Sequence, residues 1–325
     1  MILRDKTFDA MKGLAILAVI IGHSTIPELL EKFIFVWHMP LFFIISGYFY
    51  KSYPNKEYIK KNIRQLVSPY VLTSLTIISC TILRDFIIGE RIRINYIIGA
   101  LVGNGTSNNP TFSEYSIGAI WFLLALCWCR IIYNMLVNCI SDTYQRNVIL
   151  VCISICATYV GTIVFIPTNL LQGMQALLFF HIGYLWRKGQ ILSKRMKPSY
   201  LGGIIVFTLC FLSVISGSMS MVRCYYGYFP INFMAAIAMT IGVYRFSILI
   251  QDLYISQFLV YCGRISLVVL CVHDIEMICR ICPNLQKVLL FPTSCDFSIH
   301  LLVTLVCSFL LVQFKCVRNF FNLQM

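Results

Sequence analysis

Residues 8–26 read FDAMKGLAILAVIIGHSTI, and this stretch decides the class of fold. Between Lys12 and His23 it carries no charge and is almost wholly apolar. As a helix it rises about 1.5 Å per residue, enough to cross roughly 30 Å of hydrocarbon. A lysine opens the apolar run, a histidine closes it, and no small-residue cleavage site follows, so it reads as a retained first span and not as a signal peptide.

Similar runs recur along all 325 residues. Apolar residues make up 59% of the chain and charged residues 12%, about half the charged share of a soluble domain. The mean hydropathy is +0.80. The runs are continuous and do not alternate, which predicts helices and excludes a β-barrel. Ten spans are expected, near 8–26, 34–50, 67–83, 117–137, 148–166, 170–186, 200–217, 227–245, 258–278 and 298–315. The fold class is therefore an all-α, polytopic membrane bundle, with residues 1–325 forming one membrane domain.

The net charge of +13 is distributed over short loops. Under the ten-span reading, sixteen Lys and Arg fall on the side of the N-terminus and seven on the other. The positive-inside rule then places both termini in the cytoplasm. No aromatic-plus-basic platform or recognition helix is present, so nucleic acid is not an expected partner. Most of the fifteen cysteines sit inside apolar runs as small hydrophobes, and Cys279-x-x-Cys282 has no second pair. No metal site is expected. Segment 86–101, interrupted by Glu90, Arg91 and Arg93, reads as interfacial or re-entrant. The polar stretch 102–116 follows it. Its Asn104-Gly105-Thr106 matches the glycosylation acceptor pattern, a weak three-residue signal.

Ionisable groups inside spans cost about 2.5–3.5 kcal/mol each on insertion scales, so each asks for a role. Asp9 and Lys12 are three apart and share a helix face, either as a local ion pair or as part of a site. His23 follows Lys12 by eleven residues, about three turns plus 20°, which puts both on one stripe roughly 16 Å apart along the axis. A snorkelling lysine and a hydrogen-bonded histidine would give the same spacing. His38, at the outer end of the second span beside Pro40, is expected at the depth of His23. Two converging imidazoles suit general-base chemistry, although His38 alone could bond the backbone that Pro40 leaves without a donor. The basic stretch from Lys51 to Arg64 is expected as a cytoplasmic loop. There Lys61 and Arg64 either face solvent or bind the phosphates of an anionic cofactor.

FDAMKGLAILAVIIGHS followed by WHMPLFFIISGYF resembles the opening of the acyltransferase-3 family of membrane O-acyltransferases. The likeness is closer to its fucose 4-O-acetylase-like and surface-polysaccharide O-acetyltransferase branch. The family's basic residue, ten intervening residues and histidine are matched by Lys12-x10-His23. Many members carry arginine at the first position. Fragments in the family's order follow: Lys61–Arg64 before Pro69-Tyr70, Ile120-Trp121-Phe122-Leu123, FHIGYLWRK at 180–188 and GRISLVVLCVH at 263–273.

The resemblance implies transfer of an acyl group, expected to be acetyl, from cytoplasmic acyl-CoA as co-substrate to a carbohydrate hydroxyl. The acceptor would be a surface polysaccharide or lipid-linked glycan at the outer face of a bacterial cytoplasmic membrane. Lys12, Lys61 and Arg64 would bind acyl-CoA, His23 would be the base, and Asp9 would orient Lys12. His38, Trp121 and His273 would hold the acceptor. Trp121 also reads as an aromatic-belt residue and His273 as a cap of its span; His181 and Arg130 read as structural. A transporter or flippase with polar groups along its pathway is the competing reading, although no inverted repeat is visible. A membrane sensor or scaffold is a third, which would not require the histidines.

Overall fold

The computed structural model describes residues 5–89, 95–106, 116–189, 200–279, 281 and 296–323. Among them the chain is helical throughout, and the one β-type contact is an isolated bridge between Ser220 and Tyr225. Helices α1 (Lys6–Gly22) and α2 (Glu28–Tyr48) form an antiparallel start. Helix α3 (Asn55–Asn62) runs through a π-turn at Ile63–Val67 into α4 (Ser68–Ile88), and α5 (Asn95–Val102) follows. A 3-10 turn at Gly118–Ile120 leads into α6 (Trp121–Cys139), then α7 (Thr143–Gly161), α8 (Leu170–Gln175) and α9 (Leu177–Gly189). The chain continues as α10 (Tyr200–Ser216), α11 (Ile231–Leu249), α12 (Tyr254–Arg264), α13 (Ser266–Cys279), α14 (Asp296–Gln313) and α15 (Lys315–Phe320).

Each of the ten expected segments is helical, but not every one is a single rod. Among the described residues, four helical stretches are long and apolar enough to cross a membrane: Glu28–Tyr48, Asn55–Ile88, Gly118–Cys139 and Ile231–Leu249. The segment expected at 258–278 breaks at Ile265, where α12 and α13 meet at 73°. The segment at 170–186 divides into α8 and α9 at Ala176.

The stretch expected as a basic loop is also helical. Pro69 has no amide hydrogen to give the carbonyl four residues back, and the wider π-turn just before it lets the helix continue. Glu90, Arg91 and Arg93, on which the interfacial reading of segment 86–101 rested, lie outside the described residues, as does most of the polar stretch after Thr106. Asn104 is buried and its carbonyl accepts from the Ile117 amide, which leaves it poorly placed as a glycosylation acceptor.

Two glycine pairs fix where α1 and α2 sit. A Cβ on Gly13 would overlap the Leu259 carbonyl, and one on Gly263 would overlap the Asp9 carbonyl, so α1 and α12 meet backbone to backbone. Gly47 and Gly183 do the same for α2 and α9. Close approach through small residues is how helices associate where lipid supplies no hydrophobic drive. These contacts hold the charged start of α1 against the charged end of α12.

Candidate active site

Helix α1 carries the stripe Lys12, Ile16, Val19 and His23, at steps of four, three and four, which lie on one helical face. That face lines two neighbouring cavities. The first, about 260 Å³, is bounded by Lys12, Ile16, Val19, Met39, Ser46 and Arg130, among others. The second, about 410 Å³, is bounded by Val19, His23, Phe35, His38, Met39 and Trp121, among others. Val19, Met39 and Leu270 line both, so three apolar side chains form the partition between a cationic chamber and a histidine chamber.

At the cationic end, Lys12 Nζ lies 2.7 Å from Asp9 Oδ1, and Arg264 Nε lies 3.6 Å from Asp9 Oδ2. Asp9 is only 2% exposed. One buried carboxylate therefore stands between two cations, and the backbone contact of Gly263 with Asp9 is what brings Arg264 to it. The ion pair expected from the three-residue spacing is present; the second cation, from a helix about 250 residues later, had no sequence signal pointing to Asp9. Arg130, expected as structural, also lines this chamber. Its Nε donates to Ser46 Oγ at 2.7 Å and its Nη1 to Asn62 Oδ1 at 3.4 Å.

Lys61 and Arg64 are not brought into this chamber. Both are exposed, and Lys61 Nζ instead lies 4.4 Å above the Tyr53 ring and 3.4 Å from its hydroxyl. Because residues 55–67 are helical, Asn62 and Leu66 turn inward and the two cations turn outward.

At the histidine end, His23 terminates α1, its amide donating to the Val19 and Ile20 carbonyls. His38 is not at the outer end of a span, because α2 begins at Glu28 and places it mid-helix. Its Nδ1 donates to the Ile34 carbonyl at 2.8 Å, not to the Val36 carbonyl that Pro40 leaves without a donor. In a neutral ring so bonded the lone pair sits on Nε2. Phe35 lies between the two histidines, 5.6 Å from His23 and 5.1 Å from His38 by ring centroids.

His273 is not a span cap. It lies within α13, is 1% exposed, and stacks on His23 with centroids 5.5 Å apart and ring planes 12° apart. Neither of its nitrogens has a hydrogen-bond partner among the described residues. The neighbouring Asp274 accepts from the Ala119 amide at 2.5 Å and so holds the 3-10 turn that delivers Trp121. Gly118, at φ +80°, leaves room for that carboxylate, since a Cβ there would strike it. Trp121 is buried on the wall of the histidine chamber, which replaces the aromatic-belt reading. His181 hydrogen-bonds to the Tyr133 hydroxyl at 2.9 Å, outside both chambers. Deeper along α13, Glu276 and His300 form a buried pair at 2.7 Å; neither was singled out from the sequence.

A family model described as an acyltransferase domain matches residues 5–313 of the 325. No curated protein and no solved structure gives a significant match. The matched region contains Lys12, His23 and both chambers, and it spans nearly the whole chain. The chain is a member of the acyltransferase-3 family, a multi-pass membrane acyltransferase.

Proposed function

We propose that the chain transfers an acetyl group from cytoplasmic acyl-CoA to a hydroxyl of a surface polysaccharide or lipid-linked glycan, in a bacterial cytoplasmic membrane with both termini inside. The observation that carries this reading is the pair of chambers along one face of α1, cationic at Lys12 and histidine-lined at His23. A polar donor head suits the first and a thioester undergoing attack suits the second. The specific likeness to the carbohydrate O-acetyltransferase branch supplies the acceptor class.

In this reading the acceptor hydroxyl attacks the thioester carbonyl while His23 takes its proton. An ester forms, the carbon–sulfur bond breaks, and the departing thiolate takes a proton to leave as free CoA. His38, with Nδ1 committed to Ile34, offers Nε2 to an acceptor hydroxyl. Trp121 gives that acceptor an apolar wall. Asp9 orients Lys12.

Mass spectrometry of surface glycans from cells with and without the gene tests the reading. A mass difference of one acetyl group per modified sugar is expected. Identical glycans, with a solute or glycan failing instead to cross the membrane, would favour a transporter.

A further inference from the structure

Arg130 lies on the cationic chamber with only neutral partners, Ser46 and Asn62, and no carboxylate pairs with it among the described residues. Asp9, the carboxylate nearest Lys12 on α1, is already engaged by Lys12 and Arg264. The chamber wall thus carries two cations, Lys12 and Arg130, and no acidic side chain among the described residues, in a half-buried setting where charge is poorly compensated by solvent. Ser46 and Asn62 hold the guanidinium in place without neutralising it, which is the arrangement of an anion receptor.

The spacing fits the diphosphate of an acyl-CoA. Lys12 and His23 are eleven residues apart on α1, about 16 Å along the axis. In an acyl-CoA the thioester sulfur and the first phosphorus are joined by a chain of about thirteen bonds containing two amides. At the peptide-like reach of about 3.5 Å per three bonds, that chain extends about 15 Å. With the thioester at His23, the diphosphate arrives at Lys12 and Arg130.

We propose that Arg130, carried by Ser46 and Asn62, is a donor-binding residue that grips the diphosphate of acyl-CoA together with Lys12. The pantetheine arm then passes the Val19, Met39 and Leu270 partition. This rests on the acyl-CoA reading above. It also adds to donor recognition a residue in α6, whose sequence context reads as structural.

The test uses the purified full-length protein in detergent or nanodiscs, with three acetyl donors: acetyl-CoA, S-acetyl-4′-phosphopantetheine and S-acetylpantetheine. Arg130→Gln should raise KM on the order of tenfold or more for the two phosphorylated donors and leave that for S-acetylpantetheine unchanged. Arg130→Lys should recover part of the loss. An equal effect on all three donors would make Arg130 a structural residue and overturn the proposal. Where Arg130→Gln fails to give a monodisperse protein, Ser46→Ala serves, with a several-fold rise confined to the phosphorylated donors expected and a uniform change contradicting it. A wild-type protein that uses S-acetylpantetheine as well as its phosphorylated form also overturns the proposal. A wild-type protein that uses none of the three refutes the acyl-CoA reading itself.

Discussion

The rings of His23 and His273 lie nearly parallel, with centroids 5.5 Å apart, and they come from the two ends of the chain. His273 is buried among α13 neighbours and lacks a hydrogen-bond partner among the described residues, so its visible role is to set the plane of His23. Holding a base in a reactive orientation contributes strongly to rate, and small misplacements cost up to about a hundredfold. We predict that His273→Ala lowers kcat on the order of ten- to a hundredfold with donor KM little changed. His273→Phe, which keeps a flat ring, should retain more activity than His273→Ala. Equal losses in both variants would remove the stacking role.

Asp9 supports two cations at once, Lys12 at 2.7 Å and Arg264 at 3.6 Å. Removing one member of a buried charge cluster leaves the others uncompensated and costs about 3–5 kcal/mol where burial is deep. Lys12 and Arg264 are partly exposed, so the cost here should fall below that range. Asp9→Asn is expected to lower the melting temperature in detergent and raise donor KM together. Lys12→Arg should be partly tolerated and Lys12→Ala should not. Equal activity of the two Lys12 variants would exclude that side chain from the site.

The α1–α12 contact leaves no room for a methyl group at either glycine. Gly13→Ala and Gly263→Ala should each destabilise the bundle by about 1–3 kcal/mol or more, the usual range for overpacking. A thermal unfolding series in one detergent reads this directly. Gly203→Ala, where nothing lies within 4 Å of the added atom, is the control expected to behave as wild type. Unchanged melting at Gly13 and Gly263 would contradict the close approach.

Val19, Met39 and Leu270 stand between the chambers. Met39→Ala should widen the passage and raise the use of propionyl and butyryl donors relative to acetyl. Leu270→Trp should block transfer while the protein still accumulates in the membrane. Donor competition assays with acyl-CoAs of increasing length check both. An unchanged acyl preference in Met39→Ala would place the passage elsewhere.

Much of this was legible in the sequence where the signal was local. Lys12 and His23 share a face because eleven residues make three turns and a little more, and the structure puts that face on both chambers. The helical class followed from continuous apolar runs. What local patterns missed was set by distant parts of the chain. Arg264 reaches Asp9 only because Gly263 and Gly13 let two helices touch. Arg130 reads as one more polar residue in an apolar run until α2 and α3 supply Ser46 and Asn62. His273 reads as the end of a span until the 73° break between α12 and α13 turns it inward. For Lys61 and Arg64 the sequence leaves a solvated face and a phosphate site both open, and the helical phase of 55–67 turns both side chains outward.

In the proposed reaction everything turns on His23 taking the acceptor proton during acyl transfer. It is tested most directly by measuring acetyl transfer in His23→Ala and wild-type protein at matched membrane abundance, with labelled acetyl-CoA and with the glycan read by mass spectrometry. His23→Ala is expected to bind the labelled donor and to leave the glycan without the added acetyl mass. Acetylated glycan at the wild-type level in His23→Ala would contradict it.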